Sequence, residues 1–147
     1  MDQARIRELV PHTGTMCLLD SVIHWDERSI TCTATSHRAS DHPLRNTGHL
    51  SALHLAEYGA QATAVHGGLL ASAEGKRAPA GLLTALRDVE FLVPRVDDIS
   101  APLEVRATRL IANAGGWLYQ FEIFAETQLL SRGRVAVNAI ELSRKQI

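Results

Sequence analysis

The sequence of 147 residues predicts a single α+β domain, in which one long central helix is wrapped by a curved antiparallel β-sheet. Three observations predict this fold class. Two segments with strand-like patterns precede a helix rich in Ala and Leu, four further strand-like segments follow it, and no linker rich in Pro, Gly or Ser divides the chain. A domain of this length buries roughly 68–70% of its unfolded surface, which is enough for a core without disulfides.

Short elements are expected before the central helix. Residues 1–10 have the composition of one or two helical turns. Residues 17–23 are mostly apolar and predict a first strand, and residues 29–35 alternate apolar with polar side chains, which predicts a half-buried second strand. Residues 26–28 suit the hairpin turn between these strands, and residues 37–49 are typical of a loop.

The central helix is predicted over residues 50–67, where Ala and Leu are frequent and Pro is absent. One face of this helix carries small side chains, among them Gly59 and Ala62, that permit a close approach to a sheet. Gly67 and Gly68 are expected to end the helix, because glycine is the usual residue just beyond a helix C-terminus.

The remainder of the chain predicts four strands. They are expected at residues 82–93, 103–108, 117–124 and 129–142, with a turn signal at residues 113–116 between the second and the third. An antiparallel sheet formed by all six strands is the simplest partner that would cover the helix.

Composition and charge exclude several classes of function. With 15 Lys and Arg against 16 Asp and Glu, the net charge is −1, and the chain lacks the basic surface that nucleic-acid binding requires. No apolar run approaches the roughly 18 residues of a membrane-spanning helix, and the first residues lack the features of a secretory signal. Cys17 and Cys32 form no CxxC motif. Together these features predict a cytoplasmic protein.

One carboxylate stands out in the predicted helix. Glu57 is the only acidic residue between Gly48 and Ala73, a stretch that also contains no Lys or Arg. An exposed helix face normally carries several charges of both signs, so we expect Glu57 to lie in a shielded environment that suits a general acid. The alternative is a structural carboxylate that pairs with an Arg side chain or a backbone N–H.

Histidines are the second group of candidates, and all seven lie within the first 66 residues. His42 precedes Pro43, which favours an extended backbone and a defined ring position, and an imidazole is a suitable base at neutral pH. The alternative is a solvated loop histidine. His54 lies three residues before Glu57 and would either act as the base or hydrogen-bond the acid. His66 is expected near the helix C-terminus, where it would interact favourably with the helix dipole.

Metal binding is the minor alternative. The histidines do not follow the HExxH spacing, and no set of cysteine ligands is present. We therefore predict no metal site.

Three segments in the same order are similar to the motifs of a known family. Residues 11–22, PHTGTMCLLDSV, are similar to its opening segment, PHRxPxLLVDRV. Residues 55–61, LAEYGAQ, are similar to its central-helix motif, LEAMAQ, and residues 83–98, LTALRDVEFLVPRVDD, look like its strand AGIDKARFKRPVxPGD. Over nearly its whole length the chain resembles the hotdog-fold 3-hydroxyacyl-(acyl carrier protein) dehydratases, and it looks closest to the branch found in aryl-polyene-type gene clusters.

The resemblance implies a set of site residues. Glu57 matches the acid of the family's helix, and Gln61 matches the Gln of the same motif. His42 takes the place of the loop histidine, although it lies fifteen rather than fourteen residues before the acid and is not in a PGHFPG sequence. Ala52 stands where the family has a Gly whose N–H polarises the thioester carbonyl.

The resemblance also implies the reaction and the partners. The family forms hotdog dimers with each site at the subunit interface, so we expect a homodimer or a hetero-oligomer with another hotdog subunit. It needs no cofactor and receives its substrate on the phosphopantetheine arm of acyl carrier protein. The acidic carrier would bind basic residues such as Arg38, Arg45 or Arg87.

The function implied is a hydro-lyase reaction, the dehydration of a 3-hydroxyacyl thioester to the trans-2-enoyl thioester in fatty acid or aryl-polyene-type biosynthesis. His42 would take the C2 proton, and Glu57 of the opposite subunit would protonate the C3 hydroxyl group that leaves. Two alternatives remain open. One is a hotdog thioesterase that needs Glu57 but not His42, and the other is a non-catalytic subunit that binds or scaffolds an acyl thioester.

Overall fold

A computed structural model of the protein describes residues 1–9, 17–75, 81–113 and 115–139. It confirms the α+β class, with one long helix packed against a curved antiparallel sheet of six strands. The predicted order of strand, strand, helix and four strands is also confirmed. Along the chain the elements are α1 (Gln3–Leu9), β1 (Ser21–Trp25), β2 (Ser29–Ala34), α2 (Leu55–Ala73), β3 (Gly81–Phe91), β4 (Leu103–Asn113), β5 (Gly116–Ala125) and β6 (Gln128–Ala139).

The sheet has the strand order β1-β2-β4-β5-β6-β3, and every neighbouring pair is antiparallel. The two hairpins β4–β5 and β5–β6 form its centre, because short turns connect strands that alternate apolar and polar side chains. Strands β1 and β3 form the two edges. The apolar face of this sheet covers α2 and buries the helix face that carries the smallest side chains.

Close packing between α2 and the sheet depends on Gly59. A Cβ atom at this position would lie only 2.6 Å from Cγ of Phe121, whose ring is fully buried on β5. The far end of the same ring lies against Gly133 on β6. The predicted role of the small helix face is therefore confirmed, since only glycine leaves room for the aromatic ring.

The predicted end of the helix is wrong. Helix α2 continues through Gly67 and Gly68 and ends at Ala73, because Leu69, which follows them, is buried and must stay on the helix face that packs on the core. Gly68 has a packing role instead: a Cβ atom there would lie 3.0 Å from the Leu9 side chain of α1. Tertiary packing thus overrides the local stop signal.

Other boundaries differ by a few residues. The first predicted strand begins at Ser21, since residues 17–20 have no regular secondary structure. Strand β4 continues to Asn113, beyond its predicted end. Residues 140–142 of the last predicted strand, and residues 11–16 of the first family-like motif, lie outside the described residues. None of the helices that the structure describes is long and apolar enough to cross a membrane.

Candidate active site

His42 lies in the loop before α2, and its ring is buried, with 5% of the residue exposed. It is therefore not the solvated loop histidine of the alternative interpretation. Its Nδ1 accepts a hydrogen bond from the backbone N–H of Leu44 at 3.0 Å, and its Nε2 lies 3.1 Å from the hydroxyl oxygen of Tyr58. Because Nδ1 must be an acceptor, the neutral ring carries its hydrogen on Nε2 and donates it to Tyr58.

The hydrogen bond continues from Tyr58 into the core. The Tyr58 hydroxyl group lies 2.7 Å from Oγ of Ser36, and Ser36 donates its own hydrogen to the carbonyl of Leu18 at 2.8 Å. Tyr58 must therefore be the donor toward Ser36. Each group therefore donates a hydrogen bond to the next, from His42 to Tyr58, from Tyr58 to Ser36 and from Ser36 to the carbonyl of Leu18. Burial raises the pKa of Tyr58 to about 12, so this hydroxyl group keeps its proton.

The environment of His42 favours its neutral form. Burial lowers the pKa of the imidazole, and the neighbouring charges of His54 and Arg45 lower it further. Of these charge effects, that of His54 is the largest. A neutral His42 matches its hydrogen bonds, because a second proton on Nδ1 would face the N–H of Leu44.

Glu57 lies in the first turn of α2 and is half-buried. Its Oε1 accepts a hydrogen bond from Nε2 of Gln61 at 3.2 Å, one helical turn further along. Gln61 is 2% exposed, and its own Oε1 accepts the backbone N–H of Leu18 at 2.9 Å. The amide of Gln61 thus orients the carboxylate and is itself held by the segment before β1.

Leu18 joins the two candidate catalytic groups. Its N–H binds Gln61, which holds Glu57, and its carbonyl accepts the bond from Ser36 at the end of the His42 path. A continuous set of hydrogen bonds therefore links Glu57 to His42 within one chain. The two residues are far apart in sequence, yet the network fixes their side chains in one frame.

Ala52 is placed at the start of the helix but its N–H is already bonded. The Ala52 N–H donates to the carbonyl of Pro94 at 3.1 Å, and the residue is 2% exposed. The next two N–H groups, of Leu53 and His54, donate to the side chain and the carbonyl of Ser51. The 3₁₀ turn Ala52–His54 thus uses its backbone donors internally.

His54 differs from His42 in its surroundings. It ends the 3₁₀ turn, three residues before Glu57, and is partly exposed. Its ring makes no hydrogen bond to the part of the chain that the structure describes. This imidazole is therefore accessible beside the helix acid.

Comparisons with known proteins identify the family. The sequence profile of the ApeP-like family, described as ApeP dehydratase, matches residues 4–146. The chain belongs to the ApeP-like dehydratase family. Among curated proteins, none matches it.

Solved structures agree on the hotdog fold. The dehydratase heterocomplex ApeI:P from Xenorhabdus doucetiae superposes with a TM-score of 0.84 at 23% identity, covering 99% of this chain and 95% of the other. A putative thioesterase from Shewanella oneidensis gives 0.66 at 10% identity, covering 95% and 97%. A hypothetical thioesterase with coenzyme A from Streptococcus pneumoniae gives 0.62 at 9% identity, covering 82% and 84%. At these identities the likeness establishes the fold alone.

The network in this ApeP-like chain contains residues that the sequence did not predict. Tyr58, Ser36 and Leu18 lie on three separate elements and meet only in the folded chain. One signal was present, because Tyr58 is a large side chain with a polar end in a helix of small residues, directly after Glu57. A buried tyrosine of this kind needs a partner for its hydroxyl group.

The prediction for His66 is wrong. This residue lies inside α2 and not at its C-terminus, and it is fully buried. Its Nε2 donates to the carbonyl of Asp26 at 2.8 Å, while its Nδ1 accepts the hydroxyl group of Tyr119 at 2.6 Å. His66 therefore ties the β1–β2 turn to the helix and the sheet.

Within the described ranges, no three His, Cys, Asp or Glu side chains converge as metal ligands.

The candidate arginines for carrier binding differ in how they are held. The guanidinium group of Arg45 donates to the carbonyls of Ala39 and Gly48 and braces the His42 loop. Arg38 donates to the carbonyl of Ser100. Arg87 is exposed on the edge strand β3.

A cavity of about 310 Å³ opens beside His42, between its loop and α1.

Proposed function

We propose that this ApeP-like protein dehydrates a 3-hydroxyacyl thioester carried by acyl carrier protein to the trans-2-enoyl thioester, in fatty acid or aryl-polyene-type biosynthesis. The observation that carries the proposal is the hydrogen-bonded network that joins Glu57, through Gln61 and Leu18, to the loop of His42. Within each chain it holds the helix carboxylate and the loop histidine in fixed positions, so that His42 of one subunit and Glu57 of the other can act on one substrate.

The reaction needs one base and one acid. The thioester carbonyl makes the C2 proton acidic, so a histidine can remove it without a cofactor, and Glu57 can protonate the C3 hydroxyl group as it leaves. The family resemblance assigns the base role to His42, and His54, three residues before Glu57, is the alternative base. Each of the two groups is expected to supply about 10²–10⁴-fold in rate.

Stabilisation of the thioester oxygen is the third requirement. The resemblance assigns it to the N–H of Ala52, which in the free chain donates to the carbonyl of Pro94. For Ala52 to perform this role, the substrate oxygen must replace that carbonyl. A donor at this point is typically worth about 3–4 kcal/mol in the transition state.

A second hotdog subunit is the proposed partner in the assembly. Strand β3 is an edge of the sheet, and the apolar side chains of Leu86 and Leu92 at this edge are about half exposed. Leu53, beside the candidate base His54, is 63% exposed. An unpaired edge with exposed leucines beside the site is suited to a subunit that covers both.

The proposal is tested with a 3-hydroxyacyl thioester and the variant Glu57→Gln, which keeps the size of the side chain and removes the acid. We expect the wild type to form the enoyl thioester and Glu57→Gln to lose about 10²–10⁴-fold of that rate. Glu74→Gln, at the far end of the same helix, is the matched control and should retain it.

Two results would overturn the proposal. Release of free thiol without any enoyl product would identify a thioesterase. Binding of the thioester without turnover, by purified wild-type protein together with its hotdog partner, would identify a scaffolding subunit.

A further inference from the structure

The cavity of about 310 Å³ beside His42 leads from the surface to buried side chains. Cys17 and His42 in its lining are 3% and 5% exposed, whereas Arg7 and Asp41 are exposed and mark its outer end. Small-molecule sites have volumes of about 300–1,000 Å³, so this cavity can hold part of a substrate next to the candidate base. The other described residues that line it are Gln3, Ser36, Ala39 and Pro43.

The two walls of the cavity offer opposite hydrogen-bonding chemistry. The wall formed by α1 presents the guanidinium group of Arg7, which can only donate, and the loop wall presents the carboxylate of Asp41, which can only accept. Within the part of the chain that the structure describes, neither side chain takes part in an ion pair. Both groups can therefore bind a ligand that carries a donor and an acceptor.

A short series of hydrogen bonds orients Arg7. Its Nη2 donates to Oε1 of Gln3 at 3.2 Å, and Nε2 of Gln3 donates to the carbonyl of Leu19 at 3.0 Å. Gln3 thus fixes the guanidinium group relative to the segment before β1. Because a guanidinium group has further N–H donors, Arg7 can bind a ligand without giving up this support.

A saturated acyl chain is poorly matched to this lining. An alkyl group in the cavity would cover Arg7 and Asp41 without hydrogen-bonding to them, and removing charged groups from water without partners is costly. Amide groups match the lining, since an amide carbonyl accepts from a guanidinium group and an amide N–H donates to a carboxylate. The pantetheine arm of acyl carrier protein carries amide groups along its length, between the carrier and the thioester.

We propose that this cavity binds the pantetheine arm of the substrate and that Arg7 is a specificity-determining residue. Arg7, at the exposed end, donates to the carbonyl of the amide farther from the thioester, and Asp41 accepts an amide N–H. The arm enters at the exposed end and brings the thioester to His42 at the buried end. This inference rests on the proposed function.

Two analogues with the same 3-hydroxyacyl group test the assignment. One is built on the whole of pantetheine and the other on N-acetylcysteamine, which keeps only the amide nearer the sulfur, and in both a nitrogen replaces the thioester sulfur to prevent turnover. Calorimetric titration of the purified protein, together with its hotdog partner, measures Kd. We expect Arg7→Met to weaken binding of the pantetheine analogue about tenfold, the scale of one hydrogen bond from a charged donor, and to leave the shorter analogue unchanged.

Arg5→Met is the matched control on α1. The guanidinium group of Arg5 donates to Glu8 at 2.7 Å and to Oγ of Ser72 at 3.2 Å, and it does not line the cavity. This variant removes the same charge from the same helix and should leave both Kd values unchanged. Arg7 is exposed, so thermal unfolding should show that Arg7→Met is as well folded as the wild type.

Three results would overturn the inference. Equal affinity of the wild type for the two analogues would show that the outer part of the arm makes no contact. An equal loss for both analogues in Arg7→Met would place Arg7 against the acyl group. Weaker binding of the carrier-bound substrate, with the pantetheine analogue unaffected, would place Arg7 against the phosphate group of the arm.

Failure of the proposed function would give a different result. A wild type that binds the pantetheine analogue through Arg7 but forms no enoyl product from the carrier-bound substrate would refute the dehydration alone.

Discussion

Gly59 offers a direct test of how tightly α2 is packed against the sheet. In Gly59→Ala, the new Cβ atom would lie 2.6, 2.8 and 2.9 Å from three ring atoms of Phe121, far inside the roughly 3.5–4.0 Å of an ordinary carbon contact. The ring cannot move away freely, because its other end lies 3.0 and 3.1 Å from the point that a Cβ atom would occupy at Gly133. We therefore expect this small substitution to destabilise the protein.

The magnitude follows from two opposing terms. Overpacking a well-filled core costs about 1–3 kcal/mol, and the confined ring of Phe121 places this site at the upper end. Replacing a helical glycine with alanine gains about 1 kcal/mol in helix propensity. The net loss in the free energy of unfolding is then about 2 kcal/mol, or roughly 4–8 °C in Tm for a chain of this size.

Gly67→Ala is the matched control on the same helix. Outside its own helix turn, no described residue lies within 4 Å of a Cβ at Gly67, so the propensity gain should act alone and raise Tm by about 2–4 °C. Urea and thermal unfolding of both variants, followed by circular dichroism, measure the difference. A Gly59→Ala protein as stable as Gly67→Ala would refute the packing argument, and a double variant with Phe121→Leu should recover part of the loss.

Three further predictions concern charge and reactivity. Arg87→Glu should raise KM for the carrier-bound substrate about tenfold and leave a pantetheine substrate unaffected, which a comparison of the two substrates would show. The Arg95 guanidinium and the N–H of Leu50 hold the pKa of Asp97 well below its ordinary value, so its stabilising contribution is present above about pH 4 and is lost as the pH falls further. Urea titrations should therefore show a shallower loss of stability in acid for Asp97→Asn, and an unchanged slope would contradict this. Burial raises the pKa of Cys32 to about 12, so its thiol should resist iodoacetamide at mildly alkaline pH until urea unfolds the protein.

The order of the elements could be predicted from the sequence, because period-two strands and a helix without charges are local signals. The end of α2 could not, since the glycine pair at Gly67 and Gly68 carries the same local signal whether or not the next turn is buried. Only the packing of Leu69 in the core and of Leu9 against Gly68 decides that the helix continues. Whether a later residue is buried depends on the tertiary structure, which a short stretch of sequence does not specify.

The candidate site was predictable in part. Glu57 stood out as a lone carboxylate, and Gln61 followed from the resemblance of its motif. The partners that fix them could not be predicted, because Leu18 uses two backbone atoms, which carry no residue-specific signal. The position of the His42 ring is of the same kind, since one of its hydrogen bonds comes from the backbone N–H of Leu44. Backbone groups complete this site, and they become visible only in the fold.

The strand order has a consequence for how the protein folds. Strand β3 pairs with β6, which is made only after β4 and β5, so during synthesis β3 leaves the ribosome before its neighbour exists. The local hairpins β4–β5 and β5–β6 can form quickly, whereas docking of β3 must await the last described strand. A nascent chain released before β6 therefore carries an unpaired strand with the exposed side chain of Leu86, which is a hazard for aggregation.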